Sequence, residues 1–376
     1  MTAPVQGASR GTVERDSRHA ASAAGSTGVA YAPHRRVEPG RVARTGRRLF
    51  ERGVVQGFRA LSRTLNAVPL RASLPVARTF FLAGYHAWPQ KRRIMLSNAS
   101  HVLGKPERDR EVRTLARRMY RTYADFSVEL MRLPHLPVDE PARLMTDAPE
   151  GGGTSFVELQ ERVRAAGRGV IVVSGHIGSI DTLAAAFAAR GVPVYGVADD
   201  SAFPELLALL GEQRRRWGVG VIPWRNLRLI YRVLRERAVL GLVVDWGYRI
   251  QDVPVRLFGA WTTLPAGPAV LAARTGALLL PVVNRRLPDG RYAARHFEQI
   301  DVGSGTQADI AYATQAIADA LERMIAEGPE QWYTFKPMWP ATIEEARALE
   351  ERWNAMVKDQ PPGGPTPDGP GSGGAS

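Results

Sequence analysis

From Arg41 onward the apolar positions fall into a helical rhythm. Phe50, Val54, Phe58, Leu61 and Leu65 recur at steps of four and three, which places them on one face, with Arg44, Arg47, Arg48, Arg52, Arg59 and Arg63 on the remainder. Such a helix suits a bilayer interface, apolar face down and arginines among phosphates. It suits equally a helix docked on its own domain, and Gly46, Gly53 and Gly57 weaken it as a free-standing one. The next segment, Leu74 to Trp88, adds Phe80, Phe81, Leu82, Tyr85 and Trp88 ahead of Lys91-Arg92-Arg93. That combination fits an interface or a core helix. Residues 107–132 read as a helix burying Val112, Leu115, Met119, Tyr123, Phe126 and Leu130.

Past residue 150 the rhythm shortens. Ser155 and Glu158 form a capping box for a helix that stops at Gly167. Short apolar runs then predict strands at 170–173, 192–197, 219–222, 239–244, 253–258, 278–283 and 292–297. Helical patterns at 184–189, 206–217, 227–235, 267–275 and 310–325 separate most of them. This alternation predicts an α/β fold, a mainly parallel central sheet flanked by helices, with an N-terminal helical membrane-interface segment. The division expected is a disordered tail at 1–34, a basic helical segment at 35–150 that packs on the core and the membrane, and an α/β core at 151–345. The end of a helix and a second disordered tail follow at 346–376. Both tails are assigned from their small, polar, Gly- and Pro-rich composition.

Charge sharpens this division. Residues 1–93 carry 17 Lys/Arg against 4 Asp/Glu, so the whole net charge of +13 sits there, and residues 94–376 balance at 33 each. A basic arm on a neutral body implies an anionic partner surface, acidic lipid or nucleic acid. The chain has no cysteine, which excludes disulfides, thiolate metal sites and a cysteine nucleophile. No run reaches the roughly 18 apolar residues of a spanning helix, and no signal peptide is evident. His19, His34, His86, His101, His135 and His296 show no ligand spacing, so no metal is expected.

Sheets of this kind bind ligands beyond the carboxyl ends of their strands. There the first strong strand runs out as Val172-Val173-Ser174-Gly175-His176-Ile177-Gly178-Ser179-Ile180-Asp181. Gly175 and Gly178 allow tight turns beside the imidazole and close approach of a substrate. Asp181, at the start of a helix, can turn back to hold one ring nitrogen and leave the other to accept a proton. A histidine beside an aspartate that merely caps a helix is the competing structural explanation.

This segment resembles the H-x4-D/E signature of the lysophospholipid acyltransferase superfamily, in particular the bacterial lipid A lauroyl/myristoyl acyltransferases and the related phosphatidylinositol mannoside acyltransferases. Further blocks follow in that family's order: Lys91-Arg92-Arg93 with Ser97-Asn98-Ala99, Gly220 to Asn226, Val244-Asp245-Trp246-Gly247, Leu257-Phe258-Gly259, Pro265 to Ala269, Arg274 to Ala277, and Gln331-Trp332-Tyr333. The resemblance implies His176 as base with Asp181 as partner, and substrate contacts at Gly178, Asp199, Arg225, Arg228 and Asp245. Each of the last four has an alternative: Asp200 as the counterpart in place of Asp199, or a helix cap for either, a solvated helix start for Arg225 and Arg228, and a turn cap for Asp245. It implies a donor that is acyl-CoA or acyl carrier protein, no permanently bound cofactor, and a glycolipid or lysophospholipid hydroxyl as acceptor at the cytoplasmic face of the plasma membrane. Oxyanion donors are expected among amides near Gly178 or at Arg225. Trp246-Gly247 and Ala260 depart from the pattern, standing where polar residues are often found.

Other readings are a glycerophospholipid-remodelling acyltransferase, a serine hydrolase and a nucleic-acid-binding α/β module. The chain lacks a G-x-S-x-G elbow. It also lacks a recognisable nucleic-acid motif, so no nucleic-acid partner is expected.

Overall fold

The computed structural model describes residues 41–146, 155–198 and 204–358. The two expected tails, apart from residues 346–358, and both Asp199 and Asp200 lie outside these residues. The chain begins with helices α1 (Arg41–Ala67), α2 (Leu70–Ala87), α3 (Pro89–Leu103), α4 (Arg110–Arg132) and the short α5 (Glu140–Arg143). Then come α6 (Phe156–Ala165), β1 (Val170–Ser174), α7 (Ile180–Ala189), β2 (Val194–Ala198), α8 (Pro204–Arg216), β3 (Val219–Pro223), α9 (Leu227–Arg235) and β4 (Val239–Val243). The remainder is β5 (Val253–Leu257), β6 (Ala260–Leu264), α10 (Gly267–Thr275), β7 (Leu278–Arg286), β8 (Tyr292–His296), α11 (Gln307–Ala326) and α12 (Ile343–Val357).

Among the described residues six strands form one sheet in the order β3-β2-β4-β1-β7-β8. The first five are mutually parallel, and β8 returns antiparallel to β7. Successive residues of a strand point to opposite faces, and β1 uses both. Ile171 and Val173 join a cluster with Met95, Met119, Leu234, Ile317 and Leu321, so α3, α4, α9 and α11 cover that face. Val170 and Val172 join Phe156, Leu159, Leu183 and Phe187 of α6 and α7 on the other. A strand buried on both faces reads as continuous apolar sequence, which is why β1 was visible in the chain.

The capping box closes as expected. Ser155 N–H donates to Glu158 Oε2 at 2.8 Å, Glu158 N–H donates to Ser155 Oγ at 3.1 Å, and Gly167 follows the helix at φ +63°. Several elements differ from the sequence reading, which left α3 and α5 unassigned. β6 was not foreseen, and β5 and β6 form a separate antiparallel ladder joined by Phe258 and Gly259, both at positive φ. Two such residues make the hairpin turn that matches strand twist. The buried face of α1 is also offset by one position: Glu51, Val55 and Ser62 are buried, whereas Leu61 is exposed. Polar groups draw that face inward, since Ser62 Oγ donates to the Met131 carbonyl at 2.6 Å and Glu51 Oε1 accepts from the Glu205 amide at 2.7 Å. No helix among the described residues is long and apolar enough to cross a membrane.

Candidate active site

The site follows from strand register. β1 and β4 are hydrogen-bonded neighbours with Ser174 opposite Val243, and Val244 N–H donates to the Ser174 carbonyl at 2.9 Å. Two residues beyond each strand stand His176 and Asp245. They meet there: His176 Nδ1 lies 2.7 Å from Asp245 Oδ1, and the His176 amide donates to Asp245 Oδ2 at 2.9 Å. The indole N–H of Trp332 donates to the same Oδ2 at 2.8 Å. Tyr333 N–H donates to the His176 carbonyl at 2.8 Å, pinning the loop from the other side.

Exposure divides the pair. The Asp245 side chain is 0% exposed and that of His176 45%. A buried carboxylate with three donors is rigid, and it fixes which ring nitrogen faces inward. Nε2 is the ring nitrogen that Asp245 leaves able to accept a proton. Burial alone would lower the imidazole pKa, but the charge and hydrogen bond of Asp245 outweigh burial and the opposing Lys336 charge, so it is raised above its ordinary value. Burial would likewise raise the Asp245 carboxyl, and the imidazole charge and the donors reverse this, holding it below the usual carboxylate range.

Asp181 is not on the ring. Its two oxygens take the Arg214 guanidinium of α8, at 2.6 Å to Nε and 3.2 Å to Nη2. Asp181 sits in the first turn of α7, where Ser179 caps the helix, and from there it ties α7 to α8. The expected histidine–Asp181 contact is therefore corrected to histidine–Asp245. A residue on the helix after β1 faces the next helix, while a residue at the end of the adjacent strand faces the loop.

Gly178 takes φ +57°, a region costly for other residues. What approaches it closely is the protein's own backbone: a Cβ built there would lie 1.8 Å from the Asn284 carbonyl oxygen. The amides expected as oxyanion donors are engaged. Gly178 N–H bonds the Gln331 carbonyl, Ile177 N–H that of Gly175, and Ser179 N–H that of Asn284. Arg225 and Arg228 are exposed near the start of α9, Arg225 lying over the Trp224 ring at 4.7 Å. They belong to the β3 edge, three strands from His176 and about 14 Å across the sheet.

Three groups went unassigned in the sequence. Arg214 carried no signal, being one of three adjacent arginines. Trp332 stood inside a quoted block without a role. Lys336, whose charge opposes protonation of the imidazole, lies 4.7 Å from the Trp246 ring centroid. Trp246 in turn sets its ring edge-to-face with His176 at 6.0 Å.

A poised imidazole at the carboxyl edge of a parallel sheet equips an enzyme for drawing a proton from a hydroxyl. Comparison with known proteins gives the class its family. The sequence profile of bacterial lipid A biosynthesis acyltransferases matches residues 59–340, and the chain belongs to that family. It is an acyltransferase. It is 30% identical to a phosphatidylinositol mannoside acyltransferase of Mycolicibacterium smegmatis over 66% of this chain and 80% of that protein. It is 29% identical to one of Mycobacterium tuberculosis over 61% of this chain and 72% of that protein. Acyl transfer to a glycolipid follows from this kinship.

Proposed function

We propose that this enzyme moves a fatty acyl group from a thioester, acyl-CoA or acyl carrier protein, to a sugar hydroxyl of a membrane glycolipid. His176 is the base and Asp245 its positioning partner. The observation that carries the reading is the 2.7 Å Nδ1–Asp245 contact on a half-exposed ring. Asp245 accepts a hydrogen bond from Nδ1–H, which keeps that proton on the ring, so Nε2 holds the lone pair. The acceptor hydroxyl oxygen attacks the thioester carbonyl carbon as Nε2 takes its proton. The tetrahedral intermediate collapses, the C–S bond breaks, and the imidazolium proton passes to the departing thiolate. Ester and free thiol are the products, and the imidazole is restored. The names of the relatives favour a mannose hydroxyl as acceptor.

The test is stoichiometric. Purified protein given acyl-CoA and mannolipid vesicles should release one thiol for each acylated glycolipid, read by mass spectrometry. Thiol release without acyl-lipid would make the protein a thioesterase and sink the reading. Lysophospholipid vesicles and acyl carrier protein form the comparison arms.

The reading includes a membrane-facing surface on α1 and α2. Val76 and Phe80, one helical turn apart on α2, are 71% and 74% exposed, with Trp88 and Leu61 also exposed. Arg59, Arg63 and Arg71 are exposed on the same two helices. Apolar side chains flanked by cations match the acyl–headgroup boundary. Burying one such side chain contributes about 1.5–3 kcal/mol, so a Val76→Asp, Phe80→Asp variant, which loses two, should bind anionic vesicles about 10²- to 10⁴-fold less tightly. Its melting temperature should hold, because neither side chain is in the core. Unchanged co-sedimentation would remove this surface from the membrane.

A further inference from the structure

The two segments that frame the catalytic pair continue past it together. Tyr248 N–H donates to the Pro337 carbonyl at 2.8 Å. Gly247, at φ +91°, lies so close that a Cβ there would be 2.9 Å from the Lys336 Cβ and 3.1 Å from the Pro337 oxygen. Beyond this contact they border a cavity of about 370 Å³ lined by Trp246, Tyr248, Lys336, Trp339 and Glu345. Its size falls among small-molecule sites, about 300–1,000 Å³. Trp246 connects it to the chemistry, since the same indole lines the cavity and sets its ring against His176.

We propose that this cavity holds an uncharged, hydroxyl-rich sugar ring of the acceptor's head group, next to the ring that is acylated. The assignment rests on the glycolipid reading above and extends it to named residues. The lining decides the chemistry. Its ionised side chains are one ammonium, Lys336, and one carboxylate, Glu345, so a phosphate would meet repulsion as well as attraction. A fatty chain would strip water from both ions and return nothing to them. A polyol complements each group: Glu345, whose Oε2 also takes the Ala341 amide at 3.0 Å, accepts from hydroxyls, Lys336 donates to them, and the indoles of Trp246 and Trp339 offer apolar walls to C–H faces. Tyr248 Oη is buried without a hydrogen-bond partner in the protein, at the cavity's border, and it meets a sugar hydroxyl once its ring turns toward the cavity. Burial and the Glu345 charge raise its pKa, so it stays a protonated donor at neutral pH. Trp246-Gly247 was the departure seen in the sequence, and here it builds the wall between imidazole and cavity. A cationic or acidic residue in place of Trp246 would favour a different ligand.

The experiment is saturation-transfer NMR on the full chain with methyl α-mannoside and methyl α-glucoside, with 4′-phosphopantetheine as competitor. Wild type should transfer saturation to the sugar protons, and phosphopantetheine should not displace them. Tyr248→Phe and Glu345→Gln should each weaken sugar binding about 5- to 20-fold and raise the KM for glycolipid acceptor by a similar factor, with melting temperature as the folding control. Absent saturation transfer, sugar binding untouched in both variants, or displacement by phosphopantetheine would each overturn the assignment, the last by giving the cavity to the thioester donor. Repeating the NMR on His176→Ala separates the two proposals. Sugar binding without any acyl transfer in wild type would sink the chemistry and spare the site. Acyl transfer without sugar binding would do the reverse.

Discussion

Replacing Asp245 with asparagine should lower kcat by about 10³- to 10⁴-fold, close to the loss on His176→Ala, with substrate binding far less affected. The carboxylate is fully buried, and three donors converge on it: the His176 ring, the His176 amide and the Trp332 indole. Asparagine has similar shape but offers an N–H as readily as an oxygen. With its amide nitrogen against Nδ1 the imidazole must accept there and carry its proton on Nε2, where the attacking hydroxyl needs a lone pair. Because the two residues act as one unit, the double variant should be no slower than His176→Ala alone.

The pH profile separates this role from a merely structural one. The base works as neutral imidazole, so kcat/KM should fall as pH drops through a pKa lying above the ordinary histidine value of about 6.5. Asp245 is what lifts that pKa, against burial and Lys336. In Asp245→Asn the lifting cause is gone and the opposing ones remain, so the acid limb of the residual activity should move to lower pH. Asp181→Asn gives the contrast. It strands the Arg214 guanidinium, a largely buried partner, and should cost about 3 kcal/mol of stability while leaving the acid limb where it is. If Asp181→Asn moved the limb and Asp245→Asn did not, the assignment of partners would be inverted.

This contrast also marks the limit of what the chain could disclose. The histidine was legible, because a strand buried on both faces, two flanking glycines and a polar residue between them are all local. Most of the helices and the five parallel strands were legible for the same reason, each being a periodic run, whereas α3 and α5 were not. Asp245 was named as a residue at the sheet edge, yet its place on the ring was not, because that depends on β4 inserting between β2 and β1. Strand order is a long-range property, and 69 residues separate the two partners. Asp181 drew attention by being five positions away, and α7 carries it toward Arg214 instead. β6 is not legible because its five residues, Ala260 to Leu264, form a ladder with β5 alone, and Phe258-Gly259 lacks the usual Asn-Gly or Asp-Gly turn pair. The α1 offset has the same origin: buried Glu51 and Ser62 are polar and invisible to an apolar period, and tertiary hydrogen bonds decided the face.

Gly178→Ala should disrupt the protein more than a surface or helix substitution of the same size. At φ +57° an alanine carries backbone strain of about 1–3 kcal/mol. Its methyl would stand 1.8 Å from the Asn284 carbonyl oxygen and 2.9 Å from the carbonyl carbon, both backbone atoms of β7 that have no rotamer with which to yield. Overpacking adds a further 1–3 kcal/mol or so. The loop must therefore part from β7, and the contacts at risk are those that hold the histidine loop: Gly178 N–H to Gln331 O, Ser179 N–H to Asn284 O, and Asn284 Nδ2–H to Ser179 O at 2.6 Å. A loss of about 4 kcal/mol should lower the melting temperature by roughly 8 °C or more. Whatever folds should be nearly inactive, because Ile177 and Gly178 stand next to His176 on the same turn. Gly191→Ala is the matched control. It too has positive φ, +78°, but its Cβ would meet nothing within 4 Å, so it should incur the backbone strain alone. Equal melting temperatures for the two variants would show that the loop is not seated on β7, and the close packing that fixes the imidazole at the mouth of the sheet would have to be abandoned.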